Sequence, residues 1–198
     1  MLNIAVLVLC IGWTSATFNC SDTLPVEMRK RIVQYQNERR NELLKGQVNG
    51  ANGNLKPAKY MNDLTWSCHL EAVAASRCRN GFINTNFLYE TGAASDIVVG
   101  RGCNPTPLHF NDFKKAMDNW RNQAGGYRDN YFRDRTREEF AQMMNADASE
   151  VGCAYEKKGR LTSILCLYNK RVVLGEPFYQ VAEDELATKA PKNEVKAN

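Results

Sequence analysis

The sequence is poor in the residues on which most enzymes depend, and its 198 residues include only two histidines, His69 and His109. His69 follows a cysteine on a predicted helix, His109 stands at the start of another, and neither belongs to a Ser/His/Asp or Cys/His pattern. The sequence also lacks the short strings typical of lipases, zinc peptidases, dinucleotide-binding proteins and P-loop proteins. No CxxC pair predicts a metal ribbon. We therefore predict that the protein is not an enzyme and needs no cofactor.

Long apolar runs are also missing. The most apolar stretch, residues 4–11, is far shorter than the roughly 20 residues that a membrane-spanning helix needs. Small residues follow it, with Thr14 and Ala16 at the positions that signal peptidase reads. This pattern predicts a secretory signal over residues 1–16, although no Lys or Arg precedes the apolar run, and the alternative is a membrane anchor. The mature protein is then extracellular and not inserted in a membrane.

A block of charge of one sign is the third feature that the sequence lacks. The formal net charge is +4, and basic residues are mixed with acidic ones along the chain. A nucleic-acid-binding surface would normally have a basic stripe interleaved with aromatic residues. No nucleic-acid partner is therefore expected, and we expect the short basic run at residues 29–31 to lie on a solvated helix face.

The sequence does contain enough cysteines to form several disulfides. Cys10 would leave with the signal, so six of the seven cysteines remain. An even number in an exported chain predicts three disulfides. Cys153 and Cys166 lie on the two strands of a predicted hairpin, where neighbouring strands meet the distance limits of a disulfide. The pairing of the other four stays open: Cys20, Cys68, Cys78 and Cys103.

Periodicity predicts four helices followed by one hairpin. Apolar residues at helical spacing predict helices from 25 to 45, from a cap at Thr65 to 78, and from 107 to a glycine pair at 125–126. Thr136 and Glu139 have the spacing of a capping box, so a short helix is expected to begin at Thr136. The β-rich runs 151–155 and 161–168 then predict the hairpin. Residues 80–106 show no sustained period and are predicted to be loops with at most one short helix.

Several motifs, in order along the chain, resemble those of the CAP superfamily, which includes pathogenesis-related 1 proteins and venom allergens. The resemblance covers residues 24–179 and is strongest for single-domain secreted proteins of parasitic nematodes, of the hookworm type. It implies an α+β fold, an α-β-α sandwich with a small antiparallel sheet between helical layers, stapled by three disulfides. It also implies a domain over residues 17–181. Residues 182–198 are charged and lack aromatic residues, which predicts a flexible tail. The motifs are YQNERR at 35–40, PAKYM at 57–61, LTW at 64–66, FAQMM at 140–144, VGCAY at 151–155 and LCLY at 165–168.

Many CAP proteins hold a divalent metal in a cleft formed by two histidines and two glutamates. The resemblance places that site here at Gln36, Glu90, Gln123 and Glu139, of which only Glu90, within the string YET, matches the family motif. Amides are poor zinc ligands, so no metal is expected. For Glu139 we favour the capping role, and for Glu90 a buried, hydrogen-bonded carboxylate. An acid/base pair is the alternative.

For hookworm-type relatives the resemblance implies effectors directed at the host, including integrin antagonists that inhibit platelet aggregation and adhesion. We therefore predict a secreted interaction protein whose partner is a host cell-surface receptor, an integrin. Exposed tyrosine and arginine are typical interface anchors, and residues 125–135 form a candidate binding loop. A solvated loop with incidental charge is the alternative, and a sterol or lipid carrier with an apolar crevice is the second function considered. The loop residues of interest are Arg128, Asp129, Tyr131, Arg133 and Asp134.

Overall fold

A computed structural model of the chain describes Cys20 and residues 24–79, 82–83, 91–99 and 108–182. The predicted signal, the tail from residue 183, Glu90 and Cys103 lie outside these described residues. In chain order the elements are α1 (Val26–Leu44), β1 (Asn49–Gly50), β2 (Gly53–Asn54), β3 (Thr65–Trp66), α2 (Cys68–Arg77), β4 (Cys78–Arg79), β5 (Phe82–Ile83), β6 (Gly92–Val99), α3 (Phe110–Asn122), α4 (Glu138–Met143), β7 (Glu150–Lys158) and β8 (Leu161–Tyr168). Short 3₁₀ turns follow α3 and precede α4.

A four-stranded sheet forms the middle layer of the fold. Its strand order is β3-β7-β8-β6, with β3 parallel to β7 and the other neighbours antiparallel. Side chains alternate between its faces, as the pleat of a strand requires. On β8, Cys166 and Tyr168 face the larger core that includes α1, α3 and α4, whereas Leu165 and Leu167 pack against α2. The predicted α-β-α sandwich is therefore confirmed.

The hairpin at the centre of this sheet follows the prediction. β7 and β8 pair in register, and Gly159 takes a positive φ of 61° in the turn between them. Cys153 lies opposite Cys166, and the expected disulfide joins them. A second disulfide links Cys20 to Cys68 at the start of α2. Cys78 is buried and has no disulfide partner within the described residues.

Gly152 on β7 allows α2 to lie directly on the sheet. A Cβ at this position would lie 2.2 Å from the backbone nitrogen of Glu71 and 2.6 Å from the carbonyl oxygen of Ser67. Those backbone atoms cannot move without displacing the helix. The glycine of the VGCAY motif therefore has a packing cause, because any side chain there would separate α2 from β7.

The predicted start of α2 is wrong. Thr65 lies in β3, and the N-cap is Ser67, whose hydroxyl oxygen accepts a hydrogen bond from the backbone N–H of Leu70. Thr65 instead donates to the carbonyl oxygen of Ser149, beside the parallel pairing of β3 with β7. A hydrogen-bond partner 84 residues further along the chain cannot be predicted from local spacing.

The predicted capping box at Thr136 and Glu139 is also wrong. Asp134 caps this turn, because its carboxylate accepts hydrogen bonds from both the backbone N–H and the hydroxyl of Thr136. A 3₁₀ turn covers Arg135–Arg137, and α4 begins only at Glu138. Aspartate competes well for such N–H groups, since its short side chain reaches the backbone two residues further on.

The prediction that residues 80–106 are loops is wrong for residues 92–99. This segment is β6, which pairs with the whole length of β8. The sequence did not predict this strand because its first residues are small, as the packing of α4 against them requires. A Cβ on Gly92 would overlap the side chain of Gln142, and Ala94 is buried in the core. Packing against a helix here overrides the usual preference of strands for branched and aromatic residues.

The basic run at 29–31 is only partly solvated. Lys30 and Arg31 are exposed, as expected, but the prediction is wrong for Arg29, which is 2% exposed. Arg29 forms a buried ion pair with Glu71 of α2. No helix among the described residues is long and apolar enough to cross a membrane.

Candidate functional site

Gln36 is a buried structural residue and not an open ligand. It lies on α1 with no solvent exposure, and its Oε1 accepts a 2.8 Å hydrogen bond from the hydroxyl of Tyr168 on β8. Burial raises the pKa of Tyr168 well above its ordinary value, so this hydroxyl stays a donor. The Nε2 of Gln36 has no hydrogen-bond partner among the described residues. Its amide therefore joins the first helix to the sheet.

Gln123 and Glu139 are bonded to each other. The Nε2 of Gln123 donates to Glu139 Oε2 over 2.8 Å, and its Oε1 accepts from the backbone N–H of Phe140 over 3.0 Å. That N–H is one of the donors that the first turn of α4 leaves without a helical partner. Gln123 thus caps the start of α4, whereas the Glu139 carboxylate accepts a hydrogen bond from Gln123 and not the predicted one from Thr136 N–H.

These residues do not fit the metal that the family cleft implies. A zinc site needs imidazole, thiolate or carboxylate ligands in tetrahedral array. Here the amide oxygens of Gln36 and Gln123 already accept hydrogen bonds from the protein, and Glu90 lies outside the described residues. Over the described ranges, no three His, Cys, Asp or Glu side chains come together as a possible metal site. We derive no chemistry through a metal at this cleft.

Titration with Zn²⁺ checks this interpretation. We expect isothermal titration calorimetry to show no stoichiometric binding to the wild-type protein, because neither amide is a good zinc ligand. The Gln36→His/Gln123→His variant places imidazoles at both amide positions and is expected to bind Zn²⁺ more tightly than the wild type. Stoichiometric, submillimolar binding by the wild type that Glu90→Ala abolishes would contradict the prediction.

The methionines and phenylalanines that a lipid crevice would need are packed in the core. Five of them have no solvent exposure and belong to one cluster with the aromatic residues of α3 and the hairpin. Because these side chains pack against one another, they form part of the core and do not line an open apolar crevice. The five are Phe113, Met117, Phe140, Met143 and Met144.

The residues of the candidate binding loop lie together on the surface between α3 and α4. Tyr131 is 39% exposed, and the guanidinium of Arg133 lies 4.5 Å from its ring centroid. Arg133 also forms a 2.6 Å ion pair with Asp129. Arg128 is exposed beside this pair. The loop therefore presents a tyrosine and two arginines to solvent.

The two carboxylates of the loop are engaged inside it. Partial burial alone would raise the pKa of Asp129, but hydrogen bonds from Arg133 and from the backbone N–H of Tyr131 lower it overall. Hydrogen bonds from Thr136 lower the pKa of Asp134, which caps the following turn. Both acids stabilise the loop, and neither projects as a free carboxylate toward a receptor metal.

A groove that the sequence did not predict lies next to this loop. Its volume is about 330 Å³, and its walls come from the C-terminal end of the loop and from the chain that follows β8. The sequence signal for it was the apolar run at residues 172–174, which follows a strand without continuing its alternation. The residues lining it are Phe132, Arg135, Arg171, Val172, Val173 and Leu174.

With this geometry in view, comparison with known proteins assigns the family. The model of the CAP family, described as the cysteine-rich secretory protein family, matches residues 33–168. The chain belongs to the CAP family. This CAP chain is 24% identical over 174 residues to the Ancylostoma secreted protein of Ancylostoma caninum. That match covers 84% of this chain but 40% of the relative, so this chain spans about two fifths of the length of that protein.

Solved structures of other CAP proteins share the fold. The structure of BmVAL-1 superposes with a TM-score of 0.72 at 24% identity, over 83% of this CAP chain and 87% of the other. The structure of the hookworm platelet inhibitor superposes with a TM-score of 0.63 at 17% identity, over 82% of this chain and 81% of the other. At these identities the likeness shows a common architecture, and the prediction of a hookworm-type CAP fold is confirmed.

Proposed function

We propose that this CAP protein is a secreted, non-enzymatic effector that binds a receptor on host cells, and that the receptor is an integrin whose blockade inhibits platelet aggregation and adhesion. The observation that supports the proposal is that amides replace metal ligands in the cleft and are hydrogen-bonded within the fold. The amides at positions 36 and 123 bond to Tyr168, Glu139 and Phe140 within the fold. The carbonyl oxygens of both amides already accept hydrogen bonds within the fold, and a neutral amide is neither a usual general acid or base nor a good zinc ligand.

The family and the fold support an extracellular binding role. The family is described as secretory, one curated relative is named a secreted protein, and a protein of the same fold is named a platelet inhibitor. Function in such a scaffold is expected on loops that a rigid core positions.

The candidate binding loop is rigidly positioned. Backbone hydrogen bonds join Phe132 N–H to the carbonyl oxygen of Glu176 and Phe178 N–H to that of Asn130. The side chain of Asn130 adds a 2.7 Å hydrogen bond to the carbonyl oxygen of Tyr179. A surface that is ordered before binding loses little conformational entropy when a partner docks. Lipid carriage is not proposed, because the Met and Phe side chains it would need fill the core.

Binding to platelets and neutrophils tests the proposal. Labelled protein is expected to bind both cell types saturably, and integrin-blocking antibodies are expected to prevent it. Tyr131→Ala should weaken binding about tenfold, since interface tyrosines typically contribute more than 1 kcal/mol. Tyr60→Ala is the matched control, because Tyr60 is also 39% exposed but lies outside the loop. Absence of saturable binding, or binding that no integrin antibody reduces, would refute the proposed function.

A further inference from the structure

We propose that the groove next to the loop is the docking site for an acidic, apolar peptide segment of the partner protein. We call it the basic apolar groove, and it is lined by Phe132, Arg135, Arg171, Val172, Val173 and Leu174. The inference rests on the proposed binding role and adds the surface and the chemistry of the segment that it recognises. Its volume, about 330 Å³, suits one or two side chains of a peptide.

The walls of the groove are held by backbone hydrogen bonds. Phe132 N–H donates to Glu176 over 2.9 Å, and Gly175 N–H donates to the carbonyl oxygen of Phe132 over 2.7 Å. Val172 N–H donates to the side chain of Gln142, which is buried under the sheet edge. Gly175 has a φ of 90°, a conformation that turns the chain back after Leu174. The groove is therefore formed in the free protein.

Exposed apolar side chains concentrate here. Val173 is 59% exposed and Leu174 47% exposed, and these are the two most exposed large hydrophobic residues in the described part of the chain. Tyr131, a third, precedes the groove wall directly. Beneath them Phe132 and Val172 are buried and form an apolar floor. Neighbouring exposed apolar side chains are a feature of interaction sites, whereas single exposed apolar residues are normal on a protein surface.

The charge around the groove selects the sign of its ligand. Arg135 and Arg171 are exposed, and neither guanidinium forms an ion pair or hydrogen bond with another described residue. The facing acid is Glu138 at the start of α4; burial raises its pKa above the ordinary value, although Arg171 and Arg135 act in the opposite direction. Two guanidinium groups against one half-buried carboxylate leave the rim positive. Guanidinium groups bind carboxylates through paired, charge-assisted hydrogen bonds.

The apolar walls favour a peptide over a sulfated glycan. A glycan would pair with Arg135 and Arg171 but would leave Val173 and Leu174 in water. A peptide in which acids alternate with leucine or phenylalanine would cover both the charged rim and the apolar walls. The observed mixture of side chains therefore fits an acidic, apolar segment of a protein.

Fluorescence anisotropy with defined peptides tests this inference on the full chain. The probe is a fluorescein-labelled decapeptide of alternating Asp and Leu, and the controls are the Asp/Ser and Lys/Leu peptides of equal length. We expect saturable binding of the Asp/Leu peptide and at least about tenfold weaker binding of both controls, a difference near 1.4 kcal/mol. Loss of either the apolar or the acidic component should therefore be measurable.

Matched variants locate the binding. Val173→Ser/Leu174→Ser and Arg171→Gln should each weaken binding of the Asp/Leu peptide about tenfold or more. Arg160→Gln/Leu161→Ser is the control, because these residues are an equally exposed basic and apolar pair at the β7-β8 turn, with Leu161 44% exposed. All the replaced side chains lie on the surface, and an unchanged melting temperature would show that each variant folds.

The outcomes separate the groove from the receptor role. No binding of the Asp/Leu peptide, or binding that the groove variants leave intact, would overturn the inference. So would binding of a heparin oligosaccharide at the groove without binding of the peptide, since the occupant would then be a sulfated glycan. Peptide binding at the groove by a protein that fails to bind platelets and neutrophils would support the inference and refute the proposed function. Antibody-sensitive cell binding that the groove variants leave unchanged would overturn the groove as the receptor surface.

Discussion

Replacing Glu71 with alanine is expected to lower the free energy of unfolding by about 3–5 kcal/mol, the usual loss when one partner of a buried ion pair is removed. Arg29 donates from Nε and Nη2 to the two carboxylate oxygens of Glu71 over 2.8 and 2.9 Å. The indole N–H of Trp66 donates to the same carboxylate over 2.8 Å. Glu71 is 1% exposed, so Glu71→Ala would leave a buried cation without its counter-charge.

This interaction matters because it joins the two helical layers past the sheet edge. Arg29 belongs to α1, Glu71 to α2, and Trp66 to the edge strand β3 between them. Urea unfolding would measure the change as a lower midpoint with an unchanged slope.

Two further variants isolate the buried charge. Arg29→Met/Glu71→Leu removes both charges, and should lose only about 1–3 kcal/mol, because the indole N–H of Trp66 is left unpaired. Glu27→Ala removes an exposed partner of Lys30 and should change stability by no more than about 1 kcal/mol. If Glu71→Ala were as mild as Glu27→Ala, the buried pair would not stabilise the fold.

Replacing Arg40 with methionine is expected to have an effect of similar size, about 3–5 kcal/mol, through the loss of charge-assisted hydrogen bonds and the burial of unpaired carbonyl groups. All five N–H groups of the Arg40 guanidinium donate to backbone carbonyl oxygens over 2.8–3.2 Å. Burial lowers the pKa of Arg40 to about 10, so the group stays charged at neutral pH. The carbonyl groups belong to Asn62, Met143, Asn145 and Ala148.

Arg40→Lys tests whether the shape of the guanidinium matters. A lysine ammonium has three donors and no planar fork, so it should recover only part of the loss. Lys30→Met, on the exposed face of the same helix, should stay within about 0.5 kcal/mol of the wild type. Arg40→Lys with full wild-type stability in urea would contradict the prediction.

The hydrogen-bond networks of Arg29 and Arg40 hold the first helix, α1, in place beside the cleft. Arg29, Gln36 and Arg40 all lie on the buried face of α1 and bond to α2, to β8 and to the segment after α4. The YQNERR motif therefore anchors the helical layer to the rest of the fold. In this chain the cleft position Gln36 takes part in that anchoring.

Local pattern sufficed where neighbours in sequence are also neighbours in space. The apolar stripe of α1, the stripe of α3 around Phe113, Met117 and Trp120, and the β7-β8 hairpin were all predicted correctly. The Cys153–Cys166 disulfide followed from the hairpin, because its short turn sets which residues lie opposite each other.

Long-range contacts account for the wrong predictions. β6 pairs with a strand about 70 residues further along the chain and carries small residues because a helix lies on it. Hydrophobic periodicity predicts burial only for apolar residues, so it did not predict the burial of Arg29. That burial is stable because Glu71, on another helix, forms an ion pair with Arg29. The caps of α2 and of the 3₁₀ turn before α4 depended on nearby competitors, Ser67 and Asp134, which spacing alone did not rank.

The amino-acid sequence by itself determined the layered CAP architecture and the hairpin disulfide. It also determined that the cleft has poor zinc ligands at positions 36 and 123, because an amide has the same ligand chemistry in any conformation. Only the tertiary structure decided which atoms those amides bond to, and that two segments more than 35 residues apart form the basic apolar groove. The physical reason is that side-chain chemistry is local, whereas burial and hydrogen-bond partners depend on which distant segments the fold brings together.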